Sequence, residues 1–537
     1  MPPPGTRLAN TPKGRALIAT RNFAAGEPIA TFDKPLLALP DSNSMRTTCN
    51  YCLRTDQSNA NAQPLRACSR CKAAVYCDEA CQRAHWKAAH KVECSVFVRV
   101  RDRAGKDWLP TSTRAVAQVL LLMRAGNPAI SAAFGHGGSL RGNVEAYKRD
   151  ADLWEGFKLQ SMAAIVYSGL PETEEQLATA AEVLCKIQTN AFDRMDADTG
   201  KAGIYVDAEL SMVNHSCIPN AFVAFDKRTA ILRARRPIAG GDEIEICYID
   251  NTQPRSVRQH NLRLYDFQCA CPRCQDDLDV YQVCAMSPNI PLNVLSLQPD
   301  LSKLRDPPID RSLISSTTIE TSFKACVSCE IPETLRDLKQ YWKLCRDLIR
   351  AGMWAVNPVI KMIRDAVDFC KPDNKTLAYA VSMQCFIATE CEPFMSVAPF
   401  MPMRIRNLWE IADLLGFTMD GSAEKCPFEP AADVLARADL LSMHEAMLRL
   451  VVHYGPIGAT EEWNILQMAK EALAEVEKVQ GRERQLAMLR TWIRDPNDPE
   501  AASFFRENVL KPINELAALA PAIMDMLFGD GAVTQVA

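Results

Sequence analysis

Two dense groups of cysteines contain the residues of this sequence best suited to hold metal ions. The first group offers four closely spaced ligand pairs: Cys49-x2-Cys52, Cys68-x2-Cys71, Cys77-x3-Cys81 and His90-x3-Cys94. Zinc favours four thiolate or imidazole ligands, and a two-residue spacer lets both sulfurs of a pair reach one ion. The four pairs therefore predict two tetrahedral zinc sites.

A polar helix is expected to carry the last of these ligands. Asp78 can cap a helix that runs through Glu93, on which His90 and Cys94 lie four residues apart on one face. The alternative is a set of buried, unliganded thiols with a packed histidine. It fits poorly with so polar a stretch.

A second informative segment combines polar residues, a cysteine and a tyrosine. It reads Asn214-His215-Ser216-Cys217-Ile218-Pro219-Asn220, followed by Gly241-Asp242-Glu243-Ile244, by Tyr248 and by Cys269-x-Cys271-x2-Cys274. A tyrosine such as Tyr248, taken alone, is ordinarily explained by core packing. A functional interpretation therefore depends on the order and spacing of the whole segment.

Length and composition limit the classes of protein to which the chain can belong. Its 537 residues, 48% of them hydrophobic, suggest roughly three or four domain-sized units. With 61 basic and 65 acidic residues, the chain has no overall charge that would attract nucleic acid or an anionic membrane. Neither a secretory signal nor an apolar run long enough to span a bilayer is present. We therefore expect a cytoplasmic or nuclear protein, whose 21 cysteines suit metal binding better than a disulfide framework.

Short apolar runs with turn signals predict strands on both sides of the cysteine-rich region. Such runs occupy residues 17–39 and return from Ile204 to Ile249. Between them, residues 113–184 have a mostly helical pattern, broken by the glycine-rich AAFGHGGSLRGN, for which we expect a surface loop without chemistry. Beyond about Leu335 nearly every segment is an amphipathic helix bounded by Pro or Gly.

The Asn214–Asn220 motif, Tyr248 and the following cysteines together resemble a SET domain. A zinc finger inserted after an N-terminal pair of strands is similar to the split arrangement of the SET-MYND lysine methyltransferases. The resemblance covers about residues 7–275 by motif and the helical remainder only by position.

The resemblance implies an α+β fold with a split, β-rich SET core, an inserted MYND finger, a helical insert, a post-SET zinc segment and a C-terminal helical domain. The expected boundaries are 1–45 and 185–253 for the SET core, 46–98 for the finger, 99–184 for the insert, 254–280 for the post-SET segment, 281–334 for a linker and 335–537 for the helical domain. Helix pairs in the last domain are similar to tetratricopeptide stacking, although no clean repeat of that length is present.

The same resemblance implies how the metal ligands are shared. One zinc is expected on Cys49, Cys52, Cys77 and Cys81, a second on Cys68, Cys71, His90 and Cys94, and a third on Cys217, Cys269, Cys271 and Cys274. The gap from Cys81 to His90 is slightly long for the family, which leaves His85 as an alternative ligand. Cys326-x2-Cys329 is a lone pair, better explained as packed or exposed thiols than as a further metal site.

Residue by residue, the resemblance implies an S-adenosylmethionine site. The expected cofactor-binding residues are Lys13, Gly14, Arg15, Asn190, Asn214, His215 and Phe267. The expected lining of the lysine channel is Phe192, Tyr248, Tyr265 and Phe267, with Tyr248 as the catalytic residue. Ala16 replaces a second glycine of the family motif, a change that is harmless only if its φ is negative.

The implied reaction is methyl transfer to a lysine amine, with the zinc ions purely structural. A lysine has an ordinary pKa of about 10.4, so the neutral amine must be favoured in the site. A narrow aromatic channel that ends at a sulfonium lowers this pKa through desolvation and like charge. The tyrosine hydroxyl would then hold the amine in line for attack.

The expected partner is a substrate lysine in a histone tail or a non-histone protein, and the chain is expected to be monomeric. MYND fingers bind proline-containing peptides, so such a peptide is the expected ligand of this finger. Residues 46–107 carry twelve Lys/Arg against six Asp/Glu. Weak nucleic-acid binding therefore stays open, although a solvated face explains the charge better.

A competing hypothesis is an adaptor protein whose finger and helical domain recruit partners while the SET core has lost turnover. Ala16 favours this alternative, whereas Tyr248 and the Asn214–Asn220 motif argue against it. A DNA-binding transcription factor is a weaker hypothesis because no recognition helix is apparent.

Overall fold

The computed structural model describes residues 2–55, 64–196, 200–295, 297, 300–373, 375–419, 428–458 and 463–529. The chain divides into two compact units. The first comprises Met1–Tyr248, Gln259–Cys269 and Glu462–Asn464, and the second comprises Ile249–Arg258, Ala270–Glu461 and Ile465–Ala537.

The first unit is built on short strands. They are β1 (Thr6–Thr11), β2 (Gly14–Ala19), β3 (Pro28–Phe32), β4 (Leu37–Pro40), β5 (Arg66–Ala67), β6 (Val75–Tyr76), β7 (Phe192–Asp196), β8 (Gly200–Val206), β9 (Asn214–His215), β10 (Ala221–Asp226), β11 (Thr229–Ala234) and β12 (Glu245–Ile246). The antiparallel sheets have the orders β1-β2, β10-β11-β3, β4-β8-β7 and β5-β6, whereas β9 and β12 pair in parallel.

Alternating side chains of these strands form the core below the sheets. In β11, Ala230, Leu232 and Ala234 are buried and the residues between them are partly exposed, as the two-residue period of a strand requires. They belong to one apolar cluster with Phe23, against which the ring of Tyr248 packs. The core therefore supports the tyrosine predicted to be catalytic.

The cysteine-rich finger ends in one continuous helical segment. It consists of α1 (Glu79–His85), a π-helical turn (Trp86–His90) and α2 (Lys91–Ala104). Asp78 caps its start by accepting a hydrogen bond from the backbone N–H of Cys81 at 2.7 Å. Gly105, with a φ of +62°, ends it in the left-handed conformation that favours glycine.

Five helices follow the finger in the first unit. They are α3 (Thr111–Arg124), α4 (Pro128–Phe134), α5 (Val144–Lys148), α6 (Ala151–Ser168) and α7 (Glu174–Asn190). Val116 and Leu120 of α3 pack with Leu184 of α7 in an apolar core. Helix α7 continues to Asn190, which brings its end close to the start of β7.

The second unit is helical in the part that the structure describes. After α8 (Arg255–Leu262), which contributes residues to both units, its helices are α9 (Pro272–Gln275), α10 (Val280–Ala285), α11 (Leu301–Arg305), α12 (Ser316–Val327), α13 (Leu338–Leu344), α14 (Arg346–Arg350), α15 (Val359–Cys370), α16 (Leu377–Phe386), α17 (Glu392–Met395), α18 (Pro402–Met419), α19 (Glu429–Arg437), α20 (Leu440–Gly458), α21 (Asn464–Val476), α22 (Glu483–Arg494), α23 (Pro499–Phe505) and α24 (Lys511–Phe528). Helix α18 packs on α20, and α16 packs on α15 and α24.

This architecture confirms the expected α+β class, since strands bracket a finger and a helical insert and helices dominate the C-terminal region. Among the helices described, none combines the length and the apolar character that crossing a membrane requires.

Candidate active site and metal sites

The hairpin turn between β1 and β2 presents its backbone at the candidate cofactor site. The Thr11 hydroxyl donates to the carbonyl oxygen of Gly14 at 3.2 Å and accepts from the Lys13 N–H at 3.2 Å. Gly14 has a φ of +104°, and a Cβ added there would lie 3.1 Å from Nη2 of Arg141. The positive φ therefore favours glycine at this position, and an added Cβ would also require the Arg141 side chain to move slightly.

Ala16, the departure from the family motif, is accommodated in strand β2. It pairs with Ala9 in the β1–β2 ladder and is fully buried. A strand residue has a negative φ, which any side chain allows. The methyl group of Ala16 is therefore compatible with the fold of the turn.

Asn214 joins three segments of the site. Its Nδ2 donates to the carbonyl oxygen of Arg15 at 3.0 Å and to Oε1 of Glu243 at 2.8 Å. Because β9 also pairs in parallel with β12, Asn214 lies directly opposite Glu245. The predicted cofactor residues Arg15 and Asn214 are thus held together by hydrogen bonds.

His215 connects the tyrosine predicted to be catalytic with a predicted metal ligand. Its Nδ1 accepts a hydrogen bond from the backbone N–H of Tyr248 at 3.0 Å. A neutral imidazole that accepts at Nδ1 carries its proton on Nε2. That nitrogen lies 3.4 Å from Sγ of Cys217, so it can donate to the sulfur.

The rings of Tyr265 and Phe267 lie next to Tyr248 and His215. The ring centroids of Tyr248 and Tyr265 are 4.9 Å apart, and the imidazole of His215 lies 5.3 Å from Tyr248 and 5.9 Å from Phe267. Phe192 packs against the same core as Tyr248. The structure thus brings Tyr248 together with Tyr265 directly and with Phe267 through His215, whereas Phe192 shares only the underlying core.

The hydroxyl groups of this cluster are held in their neutral form. Burial raises the pKa of Tyr248 well above its ordinary value, with the neighbouring Tyr265 adding to the effect, and burial likewise raises the pKa of Tyr265. Tyr248 donates its hydroxyl proton to the carbonyl oxygen of Val213 at 2.5 Å. A neutral, oriented phenol is suited to position a polar group without taking up its charge.

Lys13 is exposed at the turn, and its ammonium group pairs with acidic side chains. It hydrogen-bonds Glu245 and lies 3.7 Å from Oε2 of Glu243. Burial alone would lower its pKa, but the two carboxylates raise the pKa above the ordinary value. Lys13 is therefore a charged group at all ordinary pH values.

Asn190 contacts the glycine-rich loop for which no chemistry was expected. Its Nδ2 donates to the carbonyl oxygens of Arg141 at 2.8 Å and of Lys186 at 2.7 Å. The same loop accepts a hydrogen bond from Arg15 at the carbonyl oxygen of Ser139, 2.9 Å away. The loop is thus bonded to two predicted cofactor residues, and the expectation that it has no chemistry of its own stays a prediction.

Buried Lys186 fixes the start of this loop. Its ammonium group donates to the carbonyl oxygens of Phe134 at 3.1 Å and Gly135 at 2.7 Å and pairs with Glu182 at 2.7 Å. Arg141, Glu243 and Glu245 also contact predicted cofactor residues, and none of these three was assigned a role from the sequence. The glycine content of this segment predicts that it is a loop. Its contacts join residues far apart in the sequence, and no local sequence pattern predicts such contacts.

The first predicted set of zinc ligands is assembled in the finger. Sγ of Cys77 lies 3.6 Å from Cys52, 3.7 Å from Cys49 and 3.3 Å from Cys81. Sulfurs at the corners of a tetrahedron with Zn–S bonds of about 2.3 Å lie about 3.8 Å apart. The spacing and the chemistry of these four donors therefore fit a zinc ion.

The second predicted set is fully buried. Nε2 of His90 lies 3.6 Å from Sγ of Cys71, and the sulfurs of Cys68 and Cys94 are 4.0 Å apart. The alternative ligand His85 instead has its Nδ1 3.0 Å from the hydroxyl of Tyr76. The structure thus places His90, and not His85, with the three cysteines.

A buried carboxylate supports His90 from its other nitrogen. Nδ1 of His90 lies 3.4 Å from Oε2 of Glu93, whose carboxylate also accepts from Arg114 at 2.6 and 3.2 Å. Glu93 and Arg114 are each about 1% exposed. A metal-bound histidine commonly donates its second N–H to a carboxylate, which fixes the ring and its tautomer.

The four cysteines of the third predicted set are divided between the two units. In the first unit, the sulfurs of Cys217 and Cys269 are 4.0 Å apart, and Gln259 bonds both backbone groups of Cys269. In the second unit, Cys271 precedes α9 and the buried Cys274 lies within it. The four-cysteine zinc site stays a prediction of the sequence.

Comparison with known proteins connects this site to a family. Residues 14–249 match the family model of the SET domain. The chain is 29% identical over 265 residues to the Schizosaccharomyces pombe SET domain and MYND-type zinc finger protein 6, covering 49% of this chain and 50% of the relative. It is 29% identical over 278 residues to the human histone-lysine N-methyltransferase SMYD3, covering 50% and 61%.

The chain thus spans only about half to three fifths of the length of these relatives. A solved structure of Rubisco LSMT bound to AdoMet aligns with 68% of this chain and 80% of that protein, at 12% identity and a TM-score of 0.29. That similarity is too low to carry an inference.

Proposed function

We propose, from the match of residues 14–249 to the SET-domain family model, that this chain is an S-adenosylmethionine-dependent protein-lysine N-methyltransferase. One observation carries the proposal. The Tyr248 N–H donates to His215 at 3.0 Å, next to Asn214, which is bonded to Arg15 of the glycine turn. A tyrosine, a histidine and an asparagine are thereby held next to the turn between β1 and β2.

The residues around the glycine turn fit the proposed cofactor chemically. Lys13, Gly14 and Arg15 would hold it through their backbone, with Asn190, Asn214, His215 and Phe267 completing the site. Gly14 has a φ of +104°, a conformation that favours glycine, and the lack of a side chain lets other groups approach its backbone closely. The cofactor supplies an electrophilic methyl group on a sulfonium.

The aromatic cluster would receive the substrate lysine. The rings of Tyr248 and Tyr265, 4.9 Å apart, present apolar faces that disfavour an ammonium ion by desolvation. Lowering the lysine pKa from about 10.4 to 7 is a change of about 4 to 5 kcal/mol. The proton leaves to solvent before transfer, and the neutral nitrogen then forms its bond to the methyl carbon as the carbon–sulfur bond breaks.

The role proposed for Tyr248 is to orient the reacting groups. Its buried, neutral hydroxyl is already aligned by the carbonyl oxygen of Val213 at 2.5 Å, and its backbone is aligned by His215. Such preorganisation avoids reorganising polar groups during the reaction. The zinc ions proposed for the finger and the post-SET segment stabilise structure and take no part in the transfer.

We further propose a protein substrate, either a histone tail or a non-histone protein, and a proline-containing peptide as the ligand of the finger. Trp86, 42% exposed on the helical segment of the finger, is a side chain on which a proline ring can pack. Residues 46–107 contain an excess of basic groups, which would favour an acidic segment next to the proline.

Isothermal titration of the zinc-loaded full chain with S-adenosylmethionine tests the cofactor site. We expect binding by wild type, loss of binding in Asn214→Ala and unchanged binding in Asn22→Ala, an exposed asparagine whose Oδ1 accepts from Gly240 at 2.9 Å. Incubation with labelled cofactor and cell lysate should then label a protein on lysine. If wild type binds no cofactor, the chain is an adaptor and the proposal is wrong.

A further inference from the structure

Two thiols that the proposed methyl transfer does not use lie against each other in the second unit. Sγ of Cys326 and Sγ of Cys345 are 3.8 Å apart, and the residues are 2% and 0% exposed. Cys326 is in the last turn of α12, and Cys345 follows the end of α13. The Cys326-x2-Cys329 pair of the sequence therefore has a neighbouring thiol from outside the motif.

The orientation of the Cys329 thiol argues for thiol chemistry at these three cysteines rather than metal binding. The Cys329 S–H donates to the carbonyl oxygen of Ala325 at 3.3 Å, which turns the sulfur toward its own helix. Among the residues that the structure describes, the clusters able to surround a metal ion do not include Cys326, Cys329 and Cys345. The close contact is therefore one between two thiols.

The two cysteines differ in how firmly their helices are held. In α12, whose twelve residues are all described, the buried residues are Ser322 and Cys326. Helix α13 buries Leu338, Tyr341 and Trp342 in its seven residues, and Trp342 also packs on Phe528. Local opening follows the regions with the least buried apolar contact, so α12 can open and admit a small oxidant while α13 stays in place.

The two thiols differ in which of them is expected to attack an oxidant. At 3.8 Å either sulfur can donate to the other, and a hydrogen bond received from Cys345 lowers the pKa of Cys326 below its ordinary value despite burial. The same bond, with burial, raises the pKa of Cys345. Cys326 lies on α12, the helix with fewer buried residues, so it is the thiol that local opening brings to an oxidant, and its thiolate is the nucleophile of the pair.

We infer that Cys326 and Cys345 form a reversible disulfide when the protein meets a peroxide. The Cys326 thiolate attacks one peroxide oxygen, the O–O bond breaks, and the sulfenic acid forms with release of hydroxide, which takes up a proton to give water. The Cys345 sulfur then attacks the Cys326 sulfur and loses its proton, while the sulfenic oxygen leaves as water. Two thiols and one peroxide thus give one disulfide and two waters.

This bond would fix a weakly held helix covalently. It closes a loop of about 20 residues, and closing such a loop stabilises the folded state by restricting the unfolded chain. The segment enclosed by the bond contains Ile331, which is 84% exposed. A thiol reductant reverses the reaction, so the attachment of α12 would follow the redox conditions.

The direct test maps disulfides in the wild-type, zinc-loaded full chain. The protein is treated with up to two equivalents of hydrogen peroxide, blocked with N-ethylmaleimide and digested without reduction for mass spectrometry. We expect a Cys326 peptide joined to a Cys345 peptide with the loss of two hydrogens, and its disappearance after dithiothreitol. Cys370, whose pKa burial raises to about 12, should stay a thiol.

A matched pair of variants tests the consequence for stability. Peroxide should raise the melting temperature of wild type and of Cys370→Ala, but not of Cys345→Ala. If Cys345→Ala does not fold, the wild-type map decides alone. Recovery of Cys326 and Cys345 as maleimide adducts at two equivalents, or a Cys326–Cys329 link in place of the expected one, overturns the inference, and neither result depends on whether the chain methylates lysine.

Discussion

Arg114 of the helical insert donates two hydrogen bonds to the carboxylate of Glu93 in the finger, with nitrogen–oxygen distances of 2.6 and 3.2 Å. The same carboxylate lies 3.4 Å from Nδ1 of His90, the histidine in the second proposed zinc site. The guanidinium of Arg114 also lies 5.1 Å from the ring centroid of Phe97. The finger therefore binds to the helical insert through Glu93, the same side chain that orients the proposed zinc ligand His90.

Replacing Arg114 by Met should destabilise the finger. The variant leaves the buried Glu93 charge without its strongest partner, and breaking a buried ion pair on one side costs about 3 to 5 kcal/mol. We expect one zinc ion to reach a chromogenic chelator at least tenfold faster than in wild type, with a lower urea midpoint. Arg124→Met, an exposed arginine on the same helix, is the control and should behave as wild type. Equal zinc release from all three proteins would show that Arg114 does not support the site.

The twelve predicted ligands imply three zinc ions per purified chain. Removing the metal should unfold residues 49–94 locally, because so short and polar a stretch depends on metal binding for its folding energy. Elemental analysis combined with hydrogen exchange measures both effects. Fewer than three ions per chain, with no gain when zinc is added, would contradict the ligand assignments.

Replacing Cys217 by Ser should remove one zinc ion and leave the finger folded. It also removes the sulfur that lies 3.4 Å from Nε2 of His215, whose Nδ1 positions Tyr248. Methyl transfer should therefore fall more than the free energy of unfolding does. Cys329→Ser, which changes a thiol outside every predicted ligand set, should keep full activity and metal content. Full activity with three zinc ions in Cys217→Ser would rule out this role.

Replacing Gly14 by Ala should weaken cofactor binding. A side chain at a φ of +104° is strained, and its Cβ would meet Nη2 of Arg141 at 3.1 Å. A loss of about 1.4 kcal/mol corresponds to a tenfold higher dissociation constant, which titration calorimetry measures readily. Gly105→Ala is a matched control, because Gly105 has a φ of +62° with no atom within 4 Å of an added Cβ. Equal cofactor affinities in the two variants would place Gly14 outside the cofactor site.

The candidate ligands of the finger and the Asn214–Asn220 motif could be proposed from the sequence because the spacing within each pair and within the motif is local. Two residues separate Cys49 from Cys52, and Asn214 and His215 are adjacent. The residue types and their spacing alone therefore indicate the chemistry. The choice between His85 and His90 needed the structure, because both lie on one helical segment and only their contacts with Tyr76 and Cys71 distinguish them.

The supporting contacts could not be predicted for a different reason. Charged residues such as Glu93 and Arg114 are ordinarily solvated, so the sequence does not predict a buried ion pair between them. Arg141 and Gly14 are likewise brought together by packing of the insert, as are Cys326 and Cys345 by packing of two helices. Such pairs depend on tertiary structure, which a single sequence does not encode locally.

We propose that the Tyr248 hydroxyl positions the reacting groups. Tyr248→Phe keeps the ring in its aromatic cluster and removes only the hydroxyl, together with its bond to Val213. Losing that bond costs about 1 kcal/mol of stability, so the variant should fold. Loss of one preorganised polar group in a reaction site costs about 2.7 to 4 kcal/mol, or about 10²- to 10³-fold in rate.

The most direct measurement determines, on one preparation of Tyr248→Phe, both the dissociation constant for S-adenosylmethionine and the rate of methyl transfer. We predict near-normal cofactor affinity with a rate reduced by about 10²- to 10³-fold. Transfer at the wild-type rate would contradict the catalytic assignment and direct attention to Tyr265, whose ring lies 4.9 Å away.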